Sequence, residues 1–210
     1  IAGKVLLDGN GIRSIRPITF LNVRLAHEVR GCADELMPWL YEEGRPCSTL
    51  ILSPPGCGKT TMLRDVIRQF SNGCGQEAGR RVGVVDERSE IAACYRGIPQ
   101  NDMGIRTDVL DGCAKAFGLG WLLRAMCPGL LAMDELYGGD ECLAVREAAA
   151  CGVPVLTTLH AATGREVCLR TGIENLLAEG IFEQVIFVRE RRVTCVLPAA
   201  EVLKQGCCGQ

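Results

Sequence analysis

The chain has 210 residues, 48% of them hydrophobic, enough to bury one good core, and it reads as one α/β domain with a small appendage. A net charge of −2 and a pI near 5.8 offer no basic surface for nucleic acid, since the richest cationic run, Arg189-Glu190-Arg191-Arg192, is broken by a glutamate and reads as a solvated hairpin turn. Thirteen scattered cysteines with no C-x-x-C, beside only two histidines, support neither a disulfide framework nor a zinc site, and most are expected to be reduced, small, buried residues.

In residues 1–31, apolar residues alternate (Val5, Leu7, Ile12, Ile15) around Asp8-Gly9-Asn10-Gly11, which predicts short strands and a hairpin. Ala33, Leu36, Met37, Leu40 and Tyr41 then recur at helical spacing, and Pro38 limits or kinks the helix they predict. A boundary near Gly44-Arg45-Pro46 separates an N-terminal α+β segment (1–44) from the principal domain (45–200), with 201–210 as a tail. The start at Ile1 rather than Met predicts that part of the N-terminal segment is missing.

Residues 48–61 organise the chain. They read as a buried strand, a glycine-rich turn (Ser53-Pro54-Pro55-Gly56-Cys57-Gly58-Lys59-Thr60-Thr61) and the start of a helix marked by Met62, Leu63, Val66, Ile67 and Phe70. This is the context of a phosphate-binding P-loop. Backbone N–H groups from Gly56 to Thr60 can curl around phosphate oxygens at the positive end of the helix. Lys59 would reach the β- and γ-phosphates of ATP, Thr60 would complete the coordination of Mg²⁺, and Thr61 would touch the α-phosphate side. The motif usually opens with glycine, and Ser53 stands there as another small residue.

Residues 81–86 supply a second strand with an acidic tip, Asp86-Glu87-Arg88-Ser89-Glu90, followed by a polar loop over 97–108 and a helix expected from about Leu110 to Met126. Leu130-Leu131-Ala132-Met133 ends in Asp134-Glu135, four apolar residues followed by two carboxylates. In an open α/β sheet that strand end faces the ligand. Asp134 would hold Mg²⁺ through water, and Glu135 would orient or deprotonate the attacking water, with Glu87 and its acidic neighbours in reserve. A helix near 140–151 leads into the strand 153–160, expected between the P-loop strand and the acidic strand, so Thr157, Thr158 and His160 are candidate γ-phosphate sensors. Residues 185–188 and 193–197 read as a closing hairpin. A parallel core of four to six strands with crossover helices implies a RecA-like P-loop NTPase fold.

Two resemblances follow from these motifs. The order of P-loop, acidic box, Gln100 to Gly104 loop, Leu123-Arg124…Pro128, Glu135 and the Thr158-Leu159-His160 box resembles the motor ATPases of type II and type IV secretion and type IV pili. Longer strings, S-P-P-G-C-G-K-T-T, V-D-E-R-S-E-I-A, P-Q-N-D-M-G-I-R-T-D-V-L-D and N-V-R-L-A-H-E-V-R-G, resemble the stage III sporulation protein AA family from about residue 20 onward. Ala114 and Leu136-Tyr137 depart from that family's usual Pro and Ile-Gly. The resemblance implies a mother-cell ATPase of endospore formers, cytoplasmic and held peripherally at the membrane by the SpoIIIA–SpoIIQ channel.

A ring-forming motor, expected as a hexamer, is the leading reading. A nucleotide-dependent scaffold and a nucleic-acid motor are the alternatives. Retention of both Lys59 and Glu135 favours hydrolysis, and the absence of a basic stripe argues against nucleic acid. No internal arginine finger is assignable, so one is expected in trans from the neighbouring subunit: Arg24 first, then Arg30, with Arg16 also available. No apolar run approaches the roughly 20 residues needed to span a bilayer, and no signal peptide is read.

Overall fold

The computed structural model describes residues 1–9, 11–23 and 28–207. The expected N-terminal hairpin is present: β1 (Ala2–Asp8) pairs antiparallel with β2 (Gly11–Phe20), and Leu7, Ile12 and Phe20 on it are exposed. Residues 33–40 depart from the expected α-helix. They form consecutive turns ending in a 3-10 helix (Met37–Trp39), held by i to i+3 bonds such as Trp39 N–H to the Leu36 carbonyl (2.9 Å). Pro38 has no N–H to offer an α-helical ladder and sits in the first turn instead. A two-residue ladder, β3 (Tyr41–Glu42) with β4 (Arg45–Pro46), then leads to the main sheet.

That sheet is built from β5 (Thr49–Ser53), β8 (Val82–Asp86), β9 (Thr107–Asp111), β10 (Leu130–Met133), β11 (Val155–His160), β12 (Gln184–Arg189) and β13 (Arg192–Pro198). Between β5 and β8 lie α1 (Lys59–Asn72) and the small ladder of β6 (Gly73–Cys74) with β7 (Glu77–Ala78). The strand order is β13-β12-β5-β11-β10-β8-β9, with six strands parallel and β13 antiparallel at one edge. The strand ending at His160 therefore lies between the P-loop strand and the acidic strand, as expected from the sheet order typical of P-loop ATPases.

Both faces of the central strands β5, β8, β10 and β11 are buried, which is why they read as near-continuous apolar runs. Leu50 and Leu52 of β5 face one core, shared with α2 (Lys115–Met126), α3 (Asp140–Ala150), α4 (Gly164–Cys168), α5 (Thr171–Ala178) and α6 (Ala199–Cys207). Ile51, between them, faces the other core with Met62, Leu63, Val66, Ile67 and Phe70 of α1 and with Ala33, Leu36 and Leu40. Residues 33–40 thus pack as part of the same core as α1.

Three further expectations are corrected. Leu110 is in β9, not in a helix: residues 107–111 extend the sheet beside β8 in the register Val84↔Val109, and α2 begins only at Lys115. The β-branched Thr107 and Val109 gain backbone pairing at the sheet edge that outweighs the helical spacing of Leu110. Residues 201–207 belong to α6, whose Val202 is fully buried. Among the described cysteines only Cys47 and Cys142 are buried, because Cys127 and Cys151 close helices and Cys195 lies on the open face of an edge strand.

Candidate functional site

β5 is buried along its whole length, and Pro54 and Pro55 carry the chain out of the sheet without N–H groups of their own. Gly56 (φ 77°) and Gly58 (φ 85°) then adopt left-handed conformations, and Gly58 caps α1. Ser53 fits where glycine is usual because its hydroxyl folds back onto the Pro54 carbonyl (3.0 Å). The loop so formed points the N-terminal N–H groups of α1 outward, a geometry suited to an anion.

Lys59 is 6% exposed, and its Nζ meets Nδ1 of His160 at 2.8 Å. Burial pushes the Lys59 ammonium below the usual lysine range, opposed by the charges of Asp134 and Glu135. The Thr60 hydroxyl donates to Asp134 Oδ2 at 2.7 Å, and the Thr158 hydroxyl donates to the other Asp134 oxygen. The Glu135 N–H in turn reaches Thr158 Oγ1 at 3.0 Å. Glu135 stands at φ 45°, a strained conformation for a glutamate, and its carboxylate lies 3.4 Å from His160 Nε2. Residues distant in sequence, Lys59, Thr60, Asp134, Glu135, Thr158 and His160, therefore converge at the C-terminal ends of β5, β10 and β11.

Thr157 does not join them. Side chains alternate along a strand, so Thr158 and His160 face α1 while Thr157 is buried on the opposite face, where its hydroxyl has no hydrogen-bond partner among the described residues. Asp86 is likewise occupied: one carboxylate oxygen accepts the Glu90 N–H (2.9 Å), the other those of Ile91 (3.0 Å) and Ala92 (2.8 Å). It shapes the acidic loop and is no reserve base. Arg24 lies outside the described residues. Arg30 is tied to Glu28 and to Asp102 (3.1 Å).

Two site residues escaped the sequence reading. Lys115 is 6% exposed at the start of α2 and donates to the Glu135 carbonyl at 2.7 Å, with Glu141 at 3.4 Å, Glu87 at 3.6 Å and the Tyr137 ring centre at 4.4 Å. Burial and a hydrogen bond to Glu135 push the Tyr137 phenol up to about 12. Lys115, Glu87, Glu135 and Tyr137 line a narrow cleft of about 20 Å³ that continues to Asp134. Arg64 of α1, also buried, donates to the carbonyls of Glu90 (2.8 Å) and Ile91 (2.6 Å), anchoring the acidic loop to the helix that follows the glycine turn. Neither signal was readable, because a lone Lys or Arg in a helix reads as a solvated side chain.

The donor set is a hydroxyl and a carboxylate, both hard oxygens, in mutual contact beside an anion-binding loop. That combination fits Mg²⁺ together with a polyphosphate.

A mostly parallel sheet with this loop on one strand and carboxylates two strands away defines the RecA-like fold of secretion-type ATPases. It matches the Legionella pneumophila ATPase DotB (TM-score 0.53, 21% identity, covering 76% of this chain and 48% of that one). It also matches the pilus retraction motor PilT (TM-score 0.53, 16% identity, covering 76% and 51%). Sequence narrows the class: residues 1–196 match the family "Sporulation stage III, protein AA", and the chain belongs to that family. It is 39% identical over 186 residues to Stage III sporulation protein AA of Bacillus subtilis, covering 89% of this chain and 60% of that protein. The chain thus spans about 60% of that relative's length.

Proposed function

We propose that this sporulation protein is an ATP-hydrolysing, secretion-type motor that works as a ring, a hexamer, in the mother cell at the membrane-embedded SpoIIIA–SpoIIQ channel. The observation that carries the reading is the 2.7 Å contact between Thr60 of the glycine loop and Asp134 at the end of β10. It joins an anion site to a carboxylate pair across the sheet.

In this reading residues 53–61 bind the triphosphate, Lys59 neutralises its terminal charge, and Thr60 and Asp134 hold Mg²⁺. When bound, Mg²⁺ offsets the charge on the phosphate oxygens. Glu135 accepts the proton of the attacking water, and Lys115 and Thr158 fix its main chain so that the carboxylate cannot drift. His160 reports the presence of the γ-phosphate. An assembly scaffold would need Lys59 and Thr60 but has no chemical need of Glu135.

The test is the ATPase rate of the purified chain against its own concentration, with Glu135→Gln as the blank. The specific rate should rise with concentration as shared sites assemble, and the variant should bind ATP with turnover lowered about 10²-fold or more. ATP binding without turnover in the wild type, at every concentration, would favour the scaffold.

A further inference from the structure

Arg191, at the tip of the β12–β13 hairpin, lies against the glycine loop although 132 positions separate it from Lys59. A Cβ placed on Gly58 would stand 2.6 Å from Arg191 Cγ, 3.0 Å from Cδ and 3.7 Å from Nε, so the arginine stem packs directly over the residue that caps α1. A second sign of proximity comes from Cys32, whose thiol donates to the Thr61 carbonyl in the first turn of α1 (3.6 Å) and feels the Arg191 charge. Among the described residues Arg191 has no carboxylate partner, whereas its neighbour Arg192 lies 3.6 Å from Glu35.

The turn that presents Arg191 is itself unusual. Glu190 (φ 51°) and Arg191 (φ 61°) are both left-handed, as a two-residue hairpin turn of this hand requires, yet neither is the Asn or Gly that such a turn favours. Side chains at strained positions persist where something besides the turn calls for them.

We infer that Arg191 is a nucleotide-binding residue that grips the diphosphate part of the nucleotide from the flank of the loop opposite the hydrolytic carboxylate. Strand order supplies the direction. β5 lies between β12 and β11, so the hairpin approaches the loop from one side, while Asp134, Glu135, Thr158 and His160 approach from the other. The terminal phosphate, where the charge of the reaction develops, belongs to that second side. A guanidinium on the first side meets phosphates that ADP and ATP share, and its planar fork of donors suits them. It therefore contributes equally to both ligands and little to the transition state, which separates it from an arginine finger. The inference rests on the nucleotide-site reading above.

Fluorescent ADP and ATP analogues titrated into the full chain test it, with saturating turnover measured in parallel. Arg191→Ala should weaken both ligands by about 10- to 100-fold, the loss of a hydrogen-bonded charge, with turnover at saturation nearly unchanged. Arg191→Lys should recover part of the affinity, and Arg192→Ala, the adjacent exposed control, should bind as wild type does. Unchanged ADP affinity in Arg191→Ala, or a drop in saturating turnover at unchanged affinity, overturns the assignment. Absence of saturable binding to the wild type, or binding indifferent to Lys59→Ala, overturns the nucleotide site itself.

Discussion

Lys59 and His160 face each other across the mouth of the glycine loop, Nζ 2.8 Å from Nδ1. A protonated ammonium makes Nδ1 the acceptor and leaves the ring proton on Nε2, directed at Glu135. A terminal phosphate would compete with His160 for Lys59. His160→Ala removes one donor to that phosphate and also removes the competitor, so ATP affinity should stay close to wild type. What should fall is the discrimination between ATP and ADP, and with it the coupling of hydrolysis to partner activity. Kd values for both nucleotides decide: an ATP/ADP ratio equal to that of the wild type removes His160 from the sensor role.

Lys115 holds the Glu135 carbonyl at 2.7 Å while Glu135 sits at φ 45°. Lys115→Met keeps most of the buried stem and deletes the donor. Turnover should fall about 10-fold, the equivalent of one positioned hydrogen bond, at unchanged ATP affinity. Lys115→Arg should restore part of it. A loss of affinity matching the loss of turnover would mark Lys115 as structural only.

Asp86 and Glu87 are adjacent in sequence and opposite in role. Asp86→Ala leaves three N–H groups in the acidic loop without their acceptor, and about 3 kcal/mol of stability or more should be lost. Glu87→Gln loosens only the 3.6 Å contact with Lys115 and should cost about 1 kcal/mol or less. Urea unfolding of the two variants checks the contrast, and equal midpoints would contradict it.

The trans arginine is testable by mixing. Arg24→Ala subunits and Glu135→Gln subunits should each be inactive alone. If Arg24 reaches a neighbour's site, some mixed interfaces regain both groups and activity partly returns, since such a finger is worth about 10³ to 10⁵ in rate. No recovery at any ratio would eliminate Arg24.

Alkaline stability carries a signature of the half-buried Cys32 thiol and the buried Cys47 thiol. Burial raises Cys32 and Cys47 from 9.0 to about 11. A thiol whose pKa is raised by folding favours the folded state fully below pH 9.0, and that contribution disappears as pH climbs through about 11. Denaturation midpoints should therefore drop between these values, and the drop should be shallower in a Cys32→Ala, Cys47→Ala double variant. An identical slope in both proteins would refute the assignment.

Much of this was legible in one dimension because it rests on local rules. Ser53 to Thr61 must turn sharply and start a helix, since Gly56 and Gly58 alone tolerate the required φ and the apolar period changes from strand to helix at Met62. Asp134 and Glu135 follow four buried residues, so they had to emerge at a strand end. Tertiary structure decided what local rules leave open. Residues 107–111 became a strand because β8 offered an edge, and 33–40 became turns because Pro38 interrupts the ladder. Asp86 was absorbed into its own loop by three N–H groups, Thr157 fell on the far face by strand parity, and Lys115 and Arg191 reached the site through packing of α2 and the β12–β13 hairpin. Side chains delivered by long-range contacts carry no mark in the sequence around them, because the groups that give them meaning lie tens of residues away.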